Sequence, residues 1–424
     1  MTDVVATNET ILVVGGGISG MTTALEAAEA GKQVILVEKR PYVGGRITQL
    51  YKYFPKLCFP TCGLEINQRR TKMNTNITVL TMAEVASLTG SEGDYTATVK
   101  ISPRFVNENC TACGACEDAV ETEVDDEYNY GMSKHKVAFR AHKMAFPERF
   151  VLDPAIIGTD DANKAKDACK FDAIDLDMQE ETVDLKVGAV VYATGWRPYD
   201  ANKIQPYGYD RYANVITSVE FERMNDPMGP TGGKILRPSD GKEVKDIAFI
   251  QCAGSRDRNY LKHCSRICCM ASLKQTTYAT DAGAKSSVYY IDIRAIDRFE
   301  DFYKKVQADE NVSFIKSKVA NITLGENDNP TLQGVDTEGY NRYATEHELV
   351  VLAVGMEPSV DASTLPDDVS VNEHGFIEND GTNGGIFAAG CASDALDVNR
   401  AVQSATACAL KAIQVVNRVA GSEV

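Results

Sequence analysis

The chain has 424 residues and 12 cysteines, and eight of the cysteines fall into two groups with short internal spacings. Thiols spaced this way close disulfides, hold metal or exchange electrons. The first group opens in NENCTACGACEDAV, with Cys110, Cys113 and Cys116 at C-x2-C-x2-C, and resumes with Cys169 in DACKFDAIDLD. The bacterial ferredoxin run is C-x2-C-x2-C-x3-C-P, and its fourth cysteine serves the other cluster of a two-cluster domain. Here Val120 stands at the fourth position of the first run, the second run keeps only its last cysteine, and Lys170 replaces the usual proline. One cluster therefore retains every ligand, Cys110, Cys113, Cys116 and Cys169, while the other has lost all of its own. Losses sorted so cleanly indicate one retained [4Fe–4S] cluster. A four-cysteine zinc site is the rival, because tetrahedral thiolates suit either metal centre.

The second group is Cys252, Cys264, Cys268 and Cys269, at C-x11-C-x3-C-C. Its last two members are expected in the first turn of a helix running through MASLKQTTYAT, where the helix dipole and free N–H groups favour thiolates and a negatively charged cluster. The alternative is four buried packing thiols. The expectation is a second [4Fe–4S] cluster where a nicotinamide cofactor would otherwise sit. Cys58 and Cys62, in LCFPTCG, offer three readings: a redox dithiol, a lining for a flavin, or packing thiols, of which the last two together are favoured.

A glycine motif supplies the third chemistry. ILVVGGGISG reads as a buried strand followed by Gly15, Gly17 and Gly20 at G-x-G-x-x-G spacing, with Ser19 among them, and MTTALEAAEA continues as a helix. Such a turn brings a pyrophosphate to the helix N-terminus. A second strand, QVILVE, ends in Glu38, placed to accept a ribose hydroxyl, and Lys39 follows it. The Gly44-Gly45 pair beyond it shifts the choice from NAD to FAD, with Arg46 either reaching the cofactor or lying on the surface.

These sites need elements to position them. NITVLTMAEVASLTGSEGDYTATVKIS reads as a β-hairpin whose return strand comes only at ETVDLKVGAVVYATGWRP, ending in Thr194 and Gly195. The ferredoxin-like stretch is thus an insertion. Its middle, with His135 and His142 in packed or solvated roles, is expected to be a structured loop facing a partner. From Tyr199 to Lys242 the composition suggests a linker. VKDIAFIQCAGSRD and the helix and strand after it repeat the βαβ pattern without a second glycine triplet, and HELVVLAVG ends in a similar turn. In GGIFAAGC, flavoproteins of this type carry an Asp after the glycine. Here Gly390 is followed by Cys391, leaving the contact to Asp394, Asp397 or backbone N–H groups beside Val398, at the start of the last helix; Cys408 in that helix is a packing residue. The fold class is α/β, a two-dinucleotide-binding-domain flavoprotein of the disulfide or thioredoxin reductase kind with a ferredoxin-like insert. The expected divisions are 1–103, first part of the FAD domain; 104–178, insert; 179–242, return strand and linker; 243–356, second dinucleotide-binding-type domain; and 357–424, last part of the FAD domain.

Composition narrows the function. With 44 Lys and Arg against 60 Asp and Glu, the net charge is −16, which disfavours nucleic acid or an anionic membrane surface as direct partner. No apolar run approaches a membrane span and MTDVVATNET lacks the features of an export signal, so the expected location is cytoplasmic. Cysteines in that compartment are not expected to be disulfides.

ILVVGGGISG with VEKRPYVGGR, the inserted ferredoxin run, QCAGSRD with CSRICC, and GGIFAAGC together resemble the A-type flavin subunit of heterodisulfide reductases, over nearly the whole chain. Full-length members of that family also carry an N-terminal cluster domain and C-terminal ferredoxin motifs, neither of which is present in these residues. A trimmed form is most similar to the A-type subunit of the quinone-interacting membrane-bound oxidoreductase complexes of sulfate reducers. That resemblance implies a larger sister flavoprotein of the same type, a haem-containing membrane subunit that places the chain at the inner face of the membrane, and adenosine 5′-phosphosulfate reductase as electron partner. The function expected is a FAD and iron–sulfur electron-transfer subunit. The rivals are an NAD(P)H-dependent disulfide reductase using Cys58 and Cys62, and a zinc-stapled FAD-binding scaffold.

Overall fold

The computed structural model describes residues 4–422 apart from 361, 363, 364, 367, 368, 380 and 382. Its first sheet is built from the most apolar runs of the chain. β1 (Ile11–Val14) pairs in parallel with β2 (Val34–Glu38) on one side and β11 (Ala189–Tyr192) on the other, Ile11 standing opposite both Val34 and Ala189. β3 (Ile77–Thr81) and β22 (Ile386–Ala388) complete five strands in the order β22-β11-β1-β2-β3. Continuous apolar strands need cover on both faces. Ile11, Val13 and Leu36 pack under helices α1 (Ile18–Glu29) and α8 (Val398–Ser422), against Met21, Ala24, Ala405 and Ala412. Leu12, Ile35 and Val37 face the other way, onto an antiparallel sheet of β4 (Ala83–Ser91), β5 (Asp94–Ile101) and β10 (Glu181–Val187). β10 returns along β5 from Glu181 opposite Ile101, so everything between them is inserted. Ile77–Thr81, read as part of the hairpin, instead extends the main sheet beside β2.

The insert carries helices α3 (Ala115–Ala119) and α4 (Asp160–Ala168) and two short ladders, β6 (Glu123–Asp125) with β7 (Lys134–Lys136) and β8 (Ala138–Phe139) with β9 (Val151–Leu152). Its own core is small: Val120, Val137, Leu152, Ile156 and Ala165 with Cys116 among them. The middle of the insert folds back on the first domain: the Tyr128 hydroxyl donates to Thr48 O, and Gln49 Nε2 donates to Tyr128 O at 2.8 Å. His142 stacks on Tyr128 at 5.1 Å and meets Tyr42 edge-on at 4.9 Å, while His135 stacks on Phe139.

Residues 199–242 are not a linker. They supply edge strand β13 (Val215–Thr217) and helix α5 (Ser218–Asn225) to a second five-stranded parallel sheet. A capping box starts α5, Thr217 and Glu220 each receiving the other's backbone N–H. The sheet adds β14 (Asp246–Ala253), β15 (Lys285–Tyr290), β16 (Val312–Lys316) and β20 (Leu349–Val354), in the order β13-β20-β14-β15-β16. Helices α6 (Cys268–Asp281) and α7 (Glu300–Gln307) cover one face, and the antiparallel strands β17 (Asn321–Leu324), β18 (Pro330–Asp336) and β19 (Asn341–Glu346) lie toward the other. β12 (Trp196–Pro198) and β21 (Met356–Pro358) form a two-stranded ribbon where the chain passes between the lobes.

The lobes and the insert meet at a buried junction. Lys274 of α6 pairs with Glu222 of α5 at 2.8 Å, each side chain only 3% exposed. Lys274 Nζ also donates to Lys52 O and the Tyr51 N–H to Glu222 Oε2, which ties the second lobe to the loop before α2 (Thr61–Met73). Next to it Arg223 is almost wholly buried; its Nε donates to Asn129 Oδ1 of the insert at 2.8 Å, and its guanidinium lies over the Tyr128 ring. All charges here have partners, the condition under which buried ions are tolerated.

Candidate cofactor and metal sites

A cavity of about 690 Å³ opens at the C-terminal ends of β1, β2 and β11, within the range that takes a cofactor. Gly15, Gly17 and Ser19 form its floor, Glu38 and Lys39 one side, Gly45 and Arg46 another, and Thr194 and Gly195 the far wall. Gly20 is required by packing: a Cβ there would lie 1.7 Å from Gly15 O. A Cβ on Gly45 would stand 2.7 Å from Gly17 Cα, so the two glycine turns touch backbone to backbone. α1 starts at this point with no side chain capping it, which leaves its first N–H groups for an anion.

Glu38 is held by the backbone, Oε2 accepting from Gly16 N at 2.6 Å and Oε1 from Arg40 N at 2.8 Å. Burial pushes its carboxyl above the ordinary value against the pull of those two donors. Lys39 sits at the rim, paired with Glu84 at 2.9 Å. Arg46 is neither a surface residue nor free: its Nε donates to Trp196 O, Nη1 reaches Tyr130 Oη of the insert at 3.2 Å, and the guanidinium lies over the Trp196 ring. The Thr194 and Tyr192 hydroxyls in the wall are buried with no protein partner, so polar atoms face into the space. Floor, acid, helix end and orphaned hydroxyls fit a dinucleotide.

The C-terminal wall differs in part from expectation. Cys391, Leu396 and Val398 line the cavity, and Gly390 packs behind it against Ser19. Asp397 does not reach the wall. Its Oδ1 accepts from Arg400 N at 3.1 Å, capping α8, and its Oδ2 accepts from Arg266 Nε at 3.1 Å; Asp394 is exposed. Burial pushes the Cys391 thiol up to about 12. Cys408 packs between α8 and the first sheet, its thiol donating to Ala388 O. Cys58 and Cys62 are exposed and outside the cavity wall. The sequence reading missed Trp196, Glu127 and Ser359, all in that wall. The only tryptophan of the chain, directly after Gly195, was the available signal.

Cys110, Cys113, Cys116 and Cys169 line one small pocket in the insert. Backbone amides point at the sulfurs, Ala112 N to Cys110 Sγ and Ala173 N to Cys169 Sγ, each at 3.4 Å. Burial and the neighbouring Cys110 push the Cys116 thiol up to about 12. Cys252, Cys264, Cys268 and Cys269 gather at the end of β14 and the start of α6, with Arg266 N aimed at Cys264 Sγ at 3.4 Å. Burial, then the neighbouring Cys269, Cys252 and Cys264, hold the Cys268 thiol well above its usual range. Metal binding at these sulfurs would displace their protons. Among the described residues no three His, Cys, Asp or Glu side chains converge on a point that would hold a single ion. A cubane asks for another arrangement, because each cysteine binds a different iron and the sulfurs stand wider than the roughly 3.8 Å of tetrahedral zinc. Soft thiolates with N–H donors on their sulfurs fit a cluster.

The fold is that of the FAD-dependent oxidoreductases with thioredoxin reductase-like architecture. The family model described as FAD dependent oxidoreductase matches residues 10–150. The thioredoxin reductases of T. acidophilum and Lactococcus lactis superpose with TM-scores of 0.52 and 0.53, covering 98% and 97% of this chain and 100% and 99% of theirs. At 13% and 12% identity they speak for the fold alone. The chain is, over nearly its whole length, a homologue of the A-type subunit of heterodisulfide reductases. The A-type subunit of the ferredoxin:CoB-CoM heterodisulfide reductase of Methanosarcina mazei is 34% identical over 421 residues, 95% of this chain and 53% of that protein. An A-type iron-sulfur subunit of the CoB–CoM heterodisulfide reductase of Methanopyrus kandleri is 36% identical, across 95% of this chain and 63% of that protein. The A-type subunit of the H2:CoB-CoM heterodisulfide, ferredoxin reductase of Methanothermobacter marburgensis is 33% identical, across 96% and 64%. The chain thus spans between about half and two thirds of these relatives' length.

Proposed function

We propose that this chain is a FAD and iron–sulfur electron-transfer subunit of a multi-subunit oxidoreductase, with one [4Fe–4S] cluster on Cys110, Cys113, Cys116 and Cys169 and a second on Cys252, Cys264, Cys268 and Cys269. One observation carries the reading. Ile267, between Cys264 and Cys268, packs against the small apolar cluster of Met356, Phe376, Cys391 and Ala395, against which Trp196 and Leu396 also pack, and Cys391, Trp196 and Leu396 line the cavity. A centre on the second cysteine set therefore adjoins the pocket that fits FAD. Bound there, FAD supplies the exchange of one or two electrons. The chain's own residues bind and orient: the α1 N-terminus for the pyrophosphate, Glu38 for the ribose, and Arg46 fixed over the Trp196 ring. No general base is assigned.

The finer reading rests on the sequence resemblance. It makes the chain part of a quinone-linked membrane complex with a sister flavoprotein and a haem-containing membrane subunit, relaying electrons with adenosine 5′-phosphosulfate reductase from a cytoplasmic position. Among the described residues no helix is long and apolar enough to cross a membrane, so contact with the bilayer goes through a partner.

Iron, zinc and flavin measured on one anaerobic preparation test the proposal. It expects one FAD and about eight iron per chain, with the flavin staying oxidised on addition of NADH. Zinc with little iron would favour the stapled scaffold, and rapid bleaching by NADH would favour the disulfide reductase; either ends the present reading.

A further inference from the structure

Two side chains stand at the second cysteine set without being candidate ligands. Gln251 directly precedes Cys252 and is 4% exposed, yet neither its Oε1 nor its Nε2 has a hydrogen-bond partner. The register of β14 shifts between Ile250 and Ala253, both of which pack on the face away from α6, so Gln251 and Cys252 share the irregular stretch of strand between them. α6, which begins with Cys268 and Cys269, covers the opposite face over Ile247 and Phe249. A buried amide orphaned at both ends has given up its water and gained nothing from the protein, a state that calls for a functional reason.

The second residue is Arg256. Its Nη1 lies 4.0 Å from Cys252 Sγ, and the guanidinium is held by Asp292. The loop beneath it is fixed. Arg256 N donates to His263 O at 3.0 Å, Ser255 Oγ donates to His263 O at 2.9 Å, and Ser265 Oγ lies 3.0 Å from Ser255 Oγ while accepting from Met356 N. The hydrogen-bonded loop and the Asp292 ion pair together place the cation beside Cys252.

We infer that Arg256 and Gln251 are the residues that tune the reduction potential of the centre held by Cys252, Cys264, Cys268 and Cys269, an assignment that rests on the cluster reading above. Cluster sulfurs accept hydrogen bonds and do not donate them, so the NH2 end of the Gln251 carboxamide turns toward them. Reduction adds one electron to a centre that is already negative. A guanidinium and an amide donor beside the sulfurs favour that state and raise the potential. Neither residue is a ligand, so each acts on the potential and not on iron content.

The test uses the full chain, purified anaerobically, in an EPR-monitored redox titration of the wild type, Arg256→Gln and Gln251→Leu. Cys268→Ser identifies which resonance belongs to this centre. Both variants are expected to keep wild-type iron and to move that resonance to lower potential, for Arg256→Gln by at least tenfold in the reduced-to-oxidised ratio, or about 59 mV for one electron. The resonance of the insert is the internal control and stays where it is. An unmoved potential in both variants at full iron overturns the inference and leaves the cluster reading standing; equal movement of both resonances also overturns it. Iron missing from the wild type overturns the cluster reading itself. Should Arg256→Gln lose its centre, Gln251→Leu decides alone, and no shift there overturns the assignment.

Discussion

At the scale of single residues, the best-defined feature is the contact between Gly20 and Gly15. Any side chain at position 20 would have to displace the Gly15 carbonyl, 1.7 Å away, and with it the floor of the cavity. Gly20→Ala is expected to lower stability by at least roughly 1–3 kcal/mol, as overpacking does, and to lower the flavin-to-protein ratio of the purified protein. Thermal melting and the flavin spectrum check both effects, and a variant with wild-type flavin content would contradict this role. The glycine turn, the position of Glu38 and the gathering of each cysteine set in space were legible in the sequence because each is a local pattern set by spacing. Asp397 misled for the opposite reason. An acidic residue before a helix serves equally as a cap, and only the distant Arg266 decides which role it takes.

At the scale of elements, the insert is held by its middle. Tyr128, Tyr42 and His142 form an aromatic knot in which burial drives the His142 pKa from 6.5 down to about 4. Between those two values the unfolded chain binds a proton that the folded chain refuses. Stability therefore falls as the pH drops through this window and is fully present above it. A gap of this size is worth roughly 3 kcal/mol. His142→Phe keeps the ring packing and removes the titration, so its melting temperature is expected to fall less than that of the wild type between pH 6.5 and 4; parallel curves would refute the assignment. Nothing local announces this knot, since its members are far apart in the chain. The stretch 199–242 was hidden differently. Its Pro and Gly content suggested a linker, although Thr217 and Glu220 already spelled a helix start.

At the scale of the whole molecule, stability is unevenly shared. The two five-stranded sheets have deep cores of their own, whereas the insert relies on a small core with Cys116 inside it and Cys110 and Cys169 packed against it. Small domains of this kind lean on metal for folding energy. Stripping iron with a chelator is therefore expected to raise amide hydrogen exchange across residues 104–178 while β1, β2 and β11 keep their protection. Unchanged exchange across residues 104–178 would show that the insert does not depend on metal.

The buried Lys274–Glu222 pair and Arg223 fasten second lobe, first domain and insert together at one point. Lobes fastened this way cannot swing apart without stranding charges in a dry interior. Under the proposed cluster assignment, the gap between cavity and second cysteine set is then set by the folded state, and an electron crossing it would tunnel over a distance fixed by that junction. Its rate should follow the difference in potential across the gap and be indifferent to solvent viscosity, as in a wire and unlike a hinge.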